Sequence, residues 1–204
     1  MAGEHADGRA RAVRGSGAGS GPASAAARPG WPGGEPGDLP GVAWGHLDVH
    51  GDERGAFREL HRASWWPEQF VQANLSMSHA RVLRGLHYHR RQLDRWTVLA
   101  GRVLVALVDV RPLLADDRAA PRVETRTLGP NAWVAIPEGV AHGFYAFEAT
   151  ELLYLVTNEY DGTDELGFAW DDPEVGVPWP DPDPILSARD RSNPPLRELV
   201  RSLR

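Results

Sequence analysis

The sequence predicts an all-β sandwich or barrel, and three observations lead there. Short β-rich runs follow one another at close intervals after residue 42. Gly, Pro, Asn or Asp stands between several of them, and no long helical period competes until the C-terminus. With 204 residues, 42% of them hydrophobic, the chain is long enough for one domain with a core of its own.

Residues 1–38 are rich in Gly, Ala, Pro, Ser and Arg and nearly lack large apolar side chains. Such a segment buries too little surface to offset its ordering entropy, so it is predicted to be a disordered tail before a domain at 39–204. The predicted strands are Phe70–Leu75, Val82–Tyr88, Trp96–Leu99, Val103–Val110, Val123–Leu128, Ala132–Ile136, Gly143–Phe147 and Leu152–Thr157. In the fourth, Val103, Val105 and Leu107 alternate with Leu104, Ala106 and Val108, so both of its faces are expected to be buried. Near the end, Leu196, Leu199, Val200 and Leu203 form an i, i+3, i+4, i+7 stripe behind Pro194-Pro195. This predicts a short amphipathic helix capped by Asn193, with Pro194 in its first turn.

Composition excludes several classes of function. The net charge of −6 argues against a nucleic-acid binder, which needs a basic face. The chain has no cysteine, so disulfides, thiolate catalysis and Cys-ligated zinc are ruled out. No stretch is apolar enough for a membrane helix, and the N-terminus lacks the apolar core of a secretion signal. A cytoplasmic protein with no membrane partner is expected.

Two histidine clusters stand out. His87-Tyr88-His89 is followed by Asp94, and Pro137-Glu138-Gly139-Val140-Ala141-His142 lies on a later strand. On a strand, His87 and His89 share a face. The spacing resembles the two cupin motifs, which implies a jelly-roll barrel or sandwich with the short C-terminal helix attached. In many cupins such residues hold a metal, so His87, His89, Asp94 and His142 are one candidate ligand set; imidazole and carboxylate suit a divalent transition metal. The alternative is paired polar residues on an exposed strand face.

Longer segments narrow the resemblance. They are Asp52-Glu53-Arg54-Gly55 with Phe57 and Glu59, Gln72-Ala73-Asn74-Leu75-Ser76, Val82 through Tyr88, and Val108-Asp109-Val110-Arg111. Ile136 through Phe144, Leu153-Tyr154 with Tyr160, and Leu186-Ser187-Ala188-Arg189-Asp190 complete the set. In this order and spacing they resemble the dTDP-4-dehydrorhamnose 3,5-epimerase family. The resemblance implies a homodimeric isomerase without a cofactor, acting on a dTDP-4-keto-6-deoxy sugar. It implies His87 as the base, Asp190 as the carboxylate behind it, and Tyr154 as the acid on the opposite face. It also implies a stacking role for Tyr160 on thymine, and contacts to diphosphate and sugar from Arg84, Arg189 and His142. Gln72 and Asn74 are implied as polar substrate contacts, and Arg54, Glu59 and Glu165 as nucleotide contacts, some reaching from a neighbouring subunit.

The required chemistry fits these residue types. A C4 ketone acidifies the C–H bonds at C3 and C5, and inversion removes a proton from one face and returns one to the other. That calls for a base, an opposed acid and support for the enolate between the two steps.

The sequence departs from the family pattern at two positions. Members usually carry a lysine where counting back from Gly101 reaches Asp94, and often a residue other than histidine at His89. Arg95 is one position off and is expected to face the other way, whereas Arg90 or Arg91 could reach in from the loop. The departures leave a 3-epimerase or a metal-dependent cupin enzyme as alternatives.

Overall fold

The computed structural model describes residues 34–116 and 118–204. The strands are β1 (Gly34–Pro36), β2 (Ala43–His46), β3 (His50–Asp52), β4 (Gly55–Phe57), β5 (Gln72–Ser78), β6 (Leu83–Tyr88) and β7 (Asp94–Ala100). They continue with β8 (Val103–Asp109), helix α1 (Arg111–Ala115), β9 (Arg122–Leu128), β10 (Ala132–Ile136), β11 (Val140–Ala146), β12 (Thr150–Val156) and β13 (Leu166–Gly167). Helices α2 (Ala188–Ser192) and α3 (Leu196–Ser202) close the chain.

A six-stranded sheet runs β1-β2-β10-β7-β12-β5 and a five-stranded sheet runs β13-β6-β11-β8-β9, all their pairings antiparallel. Trp44, Trp96, Val98, Val134 and Ile136 of one sheet share a buried cluster with Val103, Val105, Leu107 and Phe144 of the other. The alternate residues of β8, Ala106 and Val108, enter a second cluster with Leu196, Leu199 and Val200 of α3. Both faces of β8 are therefore covered, as its unbroken apolar run requires.

All eight predicted strands exist, Ala132–Ile136 with the predicted bounds and the other seven with shifted ends. β11 begins at Val140, earlier than the predicted Gly143, because Gly139 (φ +79°) ends the preceding turn and the next residue is already extended. The predicted tail boundary at residue 38 is corrected. β1 (Gly34–Pro36) pairs with β2, and the Gly37 amide donates to the Val42 carbonyl at 2.9 Å. Backbone pairing needs no apolar side chains, so composition misses it. Residues 1–33 of that predicted tail lie outside the described residues. The C-terminal helix is also corrected: α3 starts after Pro195, whereas Asn193 follows α2 as its C-cap. Pro194 and Pro195 hold extended backbone between the two short helices instead of opening one.

Among the described residues, no helix is long and apolar enough to cross a membrane.

Candidate functional site

Side chains of the two sheets line a cavity of about 470 Å³. On β5, β7, β11 and β12 strand alternation decides what lines it, whereas on β6 the irregular backbone at Gly85 brings Arg84 and His87 to the same side. Gln72, Asn74 and Ser76 project from β5, Asp94 and Trp96 from β7, and Leu152, Tyr154 and Val156 from β12. The facing sheet contributes Arg84 and His87 from β6, and His142 and Phe144 from β11. Register keeps these side chains level: Tyr154 pairs with both Asn74 and Trp96, and His142 pairs with His87.

Gly85 makes this arrangement possible. Its φ of +132° suits glycine, and a Cβ there would lie 2.7 Å from Gly143 Cα. The backbones of β6 and β11 thus approach closely beside the irregularity between His142 and Phe144. A larger residue would separate the two strands that carry the histidines.

His87 Nε2 lies 2.7 Å from Asp190 Oδ1. Asp190 sits in the first turn of α2, where its amide donates to Ser187 Oγ at 3.0 Å, and it is buried. Burial alone would raise its pKa, but the hydrogen bond and charge of His87, with the Ser187 and Gly85 groups, hold it below the usual carboxylate value. An ionised carboxylate only accepts, so Nε2 carries the hydrogen and Nδ1 keeps the lone pair. This leaves Nδ1 free to accept a proton, with the carboxylate beside the ring.

Tyr154 stands on the opposite sheet. Burial, then the charge of Asp94, pushes its phenol above the ordinary value near 10, so it is protonated at neutral pH and able to donate. Tyr160 is exposed at the mouth, its amide donating to Gln72 Oε1 at 2.9 Å. Arg84 is held by Ser78 Oγ at 3.0 Å and the Met77 carbonyl. Arg189 pairs with Glu165 at 2.9 Å.

Eleven of the sequence-predicted residues therefore line the cavity (His87, His89, Asp94, Tyr154, Gln72, Asn74, Arg84, His142, Tyr160, Glu165 and Arg189), with Asp190 behind His87. Arg54 and Glu59 do not reach it. Arg54 is exposed on the β3–β4 turn against Asp52, and Glu59 pairs with Arg62. Trp96, Phe144, Gln92 and Asn158 also line the cavity and escaped sequence reasoning. For Trp96 and Phe144 the signal was present: each lies two residues beyond a candidate residue on the same strand.

The residues beside Asp94 dispose themselves as alternation demands. Arg95 is fully buried on the other face, donating to the Leu60 carbonyl and stacked over the Trp66 and Trp133 rings. Arg90 and Arg91 do not reach into the cavity; both are tied to Asp164. His89, Asp94 and His142 are buried together, one ligand atom from each lying within 4.8 Å of the others. His87 does not belong to this group, being turned to Asp190.

Antiparallel strands in two facing sheets, with the polar side chains gathered between them, make this a cupin-type jelly roll. The profile of the dTDP-4-dehydrorhamnose 3,5-epimerase family matches residues 36–198. The enzyme of that name from Pseudomonas aeruginosa is 38% identical over 170 residues, 75% of this chain and 90% of that one. A dTDP-6-deoxy-D-glucose-3,5-epimerase from Legionella pneumophila, solved with dTDP-4-keto-L-rhamnose, superposes with a TM-score of 0.72 at 30% identity, covering 80% of this chain and 92% of that one. A 3′-monoepimerase from Streptomyces bikiniensis, solved with dTDP-quinovose, gives 0.72 at 27% identity, over 82% and 89% of the two chains. The chain belongs to the dTDP-4-dehydrorhamnose 3,5-epimerase family, a family of isomerases.

Proposed function

We propose that the protein epimerises a dTDP-4-keto-6-deoxyhexose at C3 and C5, with His87 as base, Asp190 as its orienting carboxylate and Tyr154 as acid. The observation that carries this reading is that a base and an acid line opposite walls of one cavity. Inversion needs that opposition, because a single group on one face returns the proton to where it came from.

His87 Nδ1 takes the proton from carbon, and the electron pair moves onto the C4 oxygen as an enolate. Asp190 stabilises the imidazolium. Tyr154 then delivers its phenolic proton to the carbon from the other face, and solvent restores both groups. On this reading Arg84 and Arg189, which line the cavity, bind the diphosphate, and exposed Tyr160 stacks its ring on the base. The active form on this reading is a cytoplasmic homodimer, with Arg54 and Glu59 serving a neighbour's nucleotide.

Incubation with dTDP-4-keto-6-deoxyglucose in deuterated water tests the reading. Deuterium is expected at C3 and C5. Incorporation at C3 alone would make the protein a 3-epimerase, and none at either carbon with folded protein would refute epimerisation.

A further inference from the structure

We infer that His89, Asp94 and His142 form a binding site for one divalent transition-metal ion at the inner wall of the cavity. Hydrogen placement on the two imidazoles comes first. His89 Nδ1 is 2.7 Å from the Asp164 carbonyl oxygen, and His142 Nδ1 is 3.2 Å from that of Val140. A carbonyl oxygen only accepts, so both Nδ1 atoms carry the hydrogen and both Nε2 atoms present lone pairs.

Those lone pairs face a third acceptor. Asp94 Oδ2 lies 3.4 Å from His142 Nε2 and 3.9 Å from His89 Nε2. Gln92 donates to Oδ1, but buried Oδ2 has no hydrogen-bond partner among the described residues. Asp94, His89 and His142 are 2%, 6% and 4% exposed, so bulk water does not repair the deficit. Converging buried acceptors without a donor are unfavourable and call for a proton or a cation between them.

The spacing favours the cation. A shared proton draws heavy atoms to within about 3 Å, whereas two ligands about 2.1 Å from a tetrahedral metal stand about 3.4 Å apart, which is the His142–Asp94 separation; at 3.9 Å from Asp94, His89 would have to close in slightly on the ion. The Nδ1-to-carbonyl bonds are also the outer contacts that orient metal-ligating histidines. Two imidazoles and one carboxylate suit zinc, cobalt, nickel, manganese or ferrous iron better than magnesium or calcium.

A role for the ion rests on the epimerase reading; the site itself does not. The Asp94 carboxylate alone would repel an enolate forming in this cavity. A dication held by one carboxylate and two neutral imidazoles leaves a net positive charge there, which supports a developing oxyanion.

The test uses the full chain, purified without a metal-affinity step and without chelators. Elemental analysis should find stoichiometric metal. After chelator treatment, added Co(II) should restore a d–d absorption spectrum, and Zn(II) should raise the melting temperature. Asp94→Asn and His142→Asn should each weaken Zn(II) binding by about 100-fold or more, whereas His87→Asn should retain it. If Asp94→Asn does not fold, the Co(II) spectrum of the wild-type chain decides alone. Substoichiometric metal together with no Co(II) spectrum at millimolar concentration would overturn the site and leave a shared proton. Deuterium exchange measured on the same samples separates the two claims: exchange without metal sinks the site only, and metal without exchange supports the site while sinking the epimerase reading.

Discussion

At the His87 end of the cavity an imidazole and a carboxylate meet at 2.7 Å; at the His142 end the same two groups stand 3.4 Å apart. The difference lies in where each ring spends its hydrogen. His87 presents its N–H to Asp190, so donor meets acceptor. His142 and His89 present theirs to main-chain carbonyls, so their second nitrogens confront Asp94 as acceptors against an acceptor. One pair is complete as it stands. The other is incomplete without something positive. The titration of the two acids follows: Asp190 lies below the usual carboxylate range, while burial raises Asp94 to about 6.

The largest expected effect breaks the complete pair. His87→Asn should slow deuterium exchange by about 10²–10⁴ while dTDP binding, measured by calorimetry, persists. Tyr154→Phe comes next, with exchange reduced by about 10²-fold or more on the reprotonation step. Because its phenol is raised, the alkaline limb of the wild-type exchange profile that belongs to Tyr154 should lie above pH 10 and vanish in this variant.

Stability measurements sharpen the comparison, since equivalent substitutions should act with opposite sign. Asp190→Asn removes a charge-assisted hydrogen bond and should destabilise the protein by about 2 kcal/mol in urea unfolding at pH 7. The folded-state pKa of Asp190 is lowered, so its contribution is present above the unfolded value and lost as pH falls through the folded one. The gap between wild type and Asp190→Asn should therefore close on acidification below about pH 4. In metal-free protein, Asp94→Asn should instead stabilise by about 1 kcal/mol, because the new amide can donate to a waiting imidazole. Smallest of all is Arg54→Ala, which breaks an exposed pair and should leave the urea-unfolding midpoint unchanged.

Much of the site was legible because strands impose a period of two. Gln72, Asn74 and Ser76, or Asp94 and Trp96, reach one cavity for no deeper reason than alternation, and the same rule sends Arg95 to the opposite face. The short strands β1 to β4 were not legible. They are three or four residues long, and among the described strands β1 pairs only with β2, which is itself held by the distant β10. The start of α3 was misread because two consecutive prolines are compatible with extended chain as well as with a first turn.

By itself the sequence determined the all-β class, the strands that carry most of the polar residues and the family, because local periodicity and motif spacing are written along the chain. It also placed His87, His89, Asp94 and His142 together as one candidate set. Only the tertiary structure divided that set, giving His87 to Asp190 across 103 positions of sequence and leaving the other three to face one another. The division depends on which nitrogen of each ring meets which acceptor. That is decided by main-chain carbonyls at Asp164 and Val140, whose positions exist only once the sheets have packed.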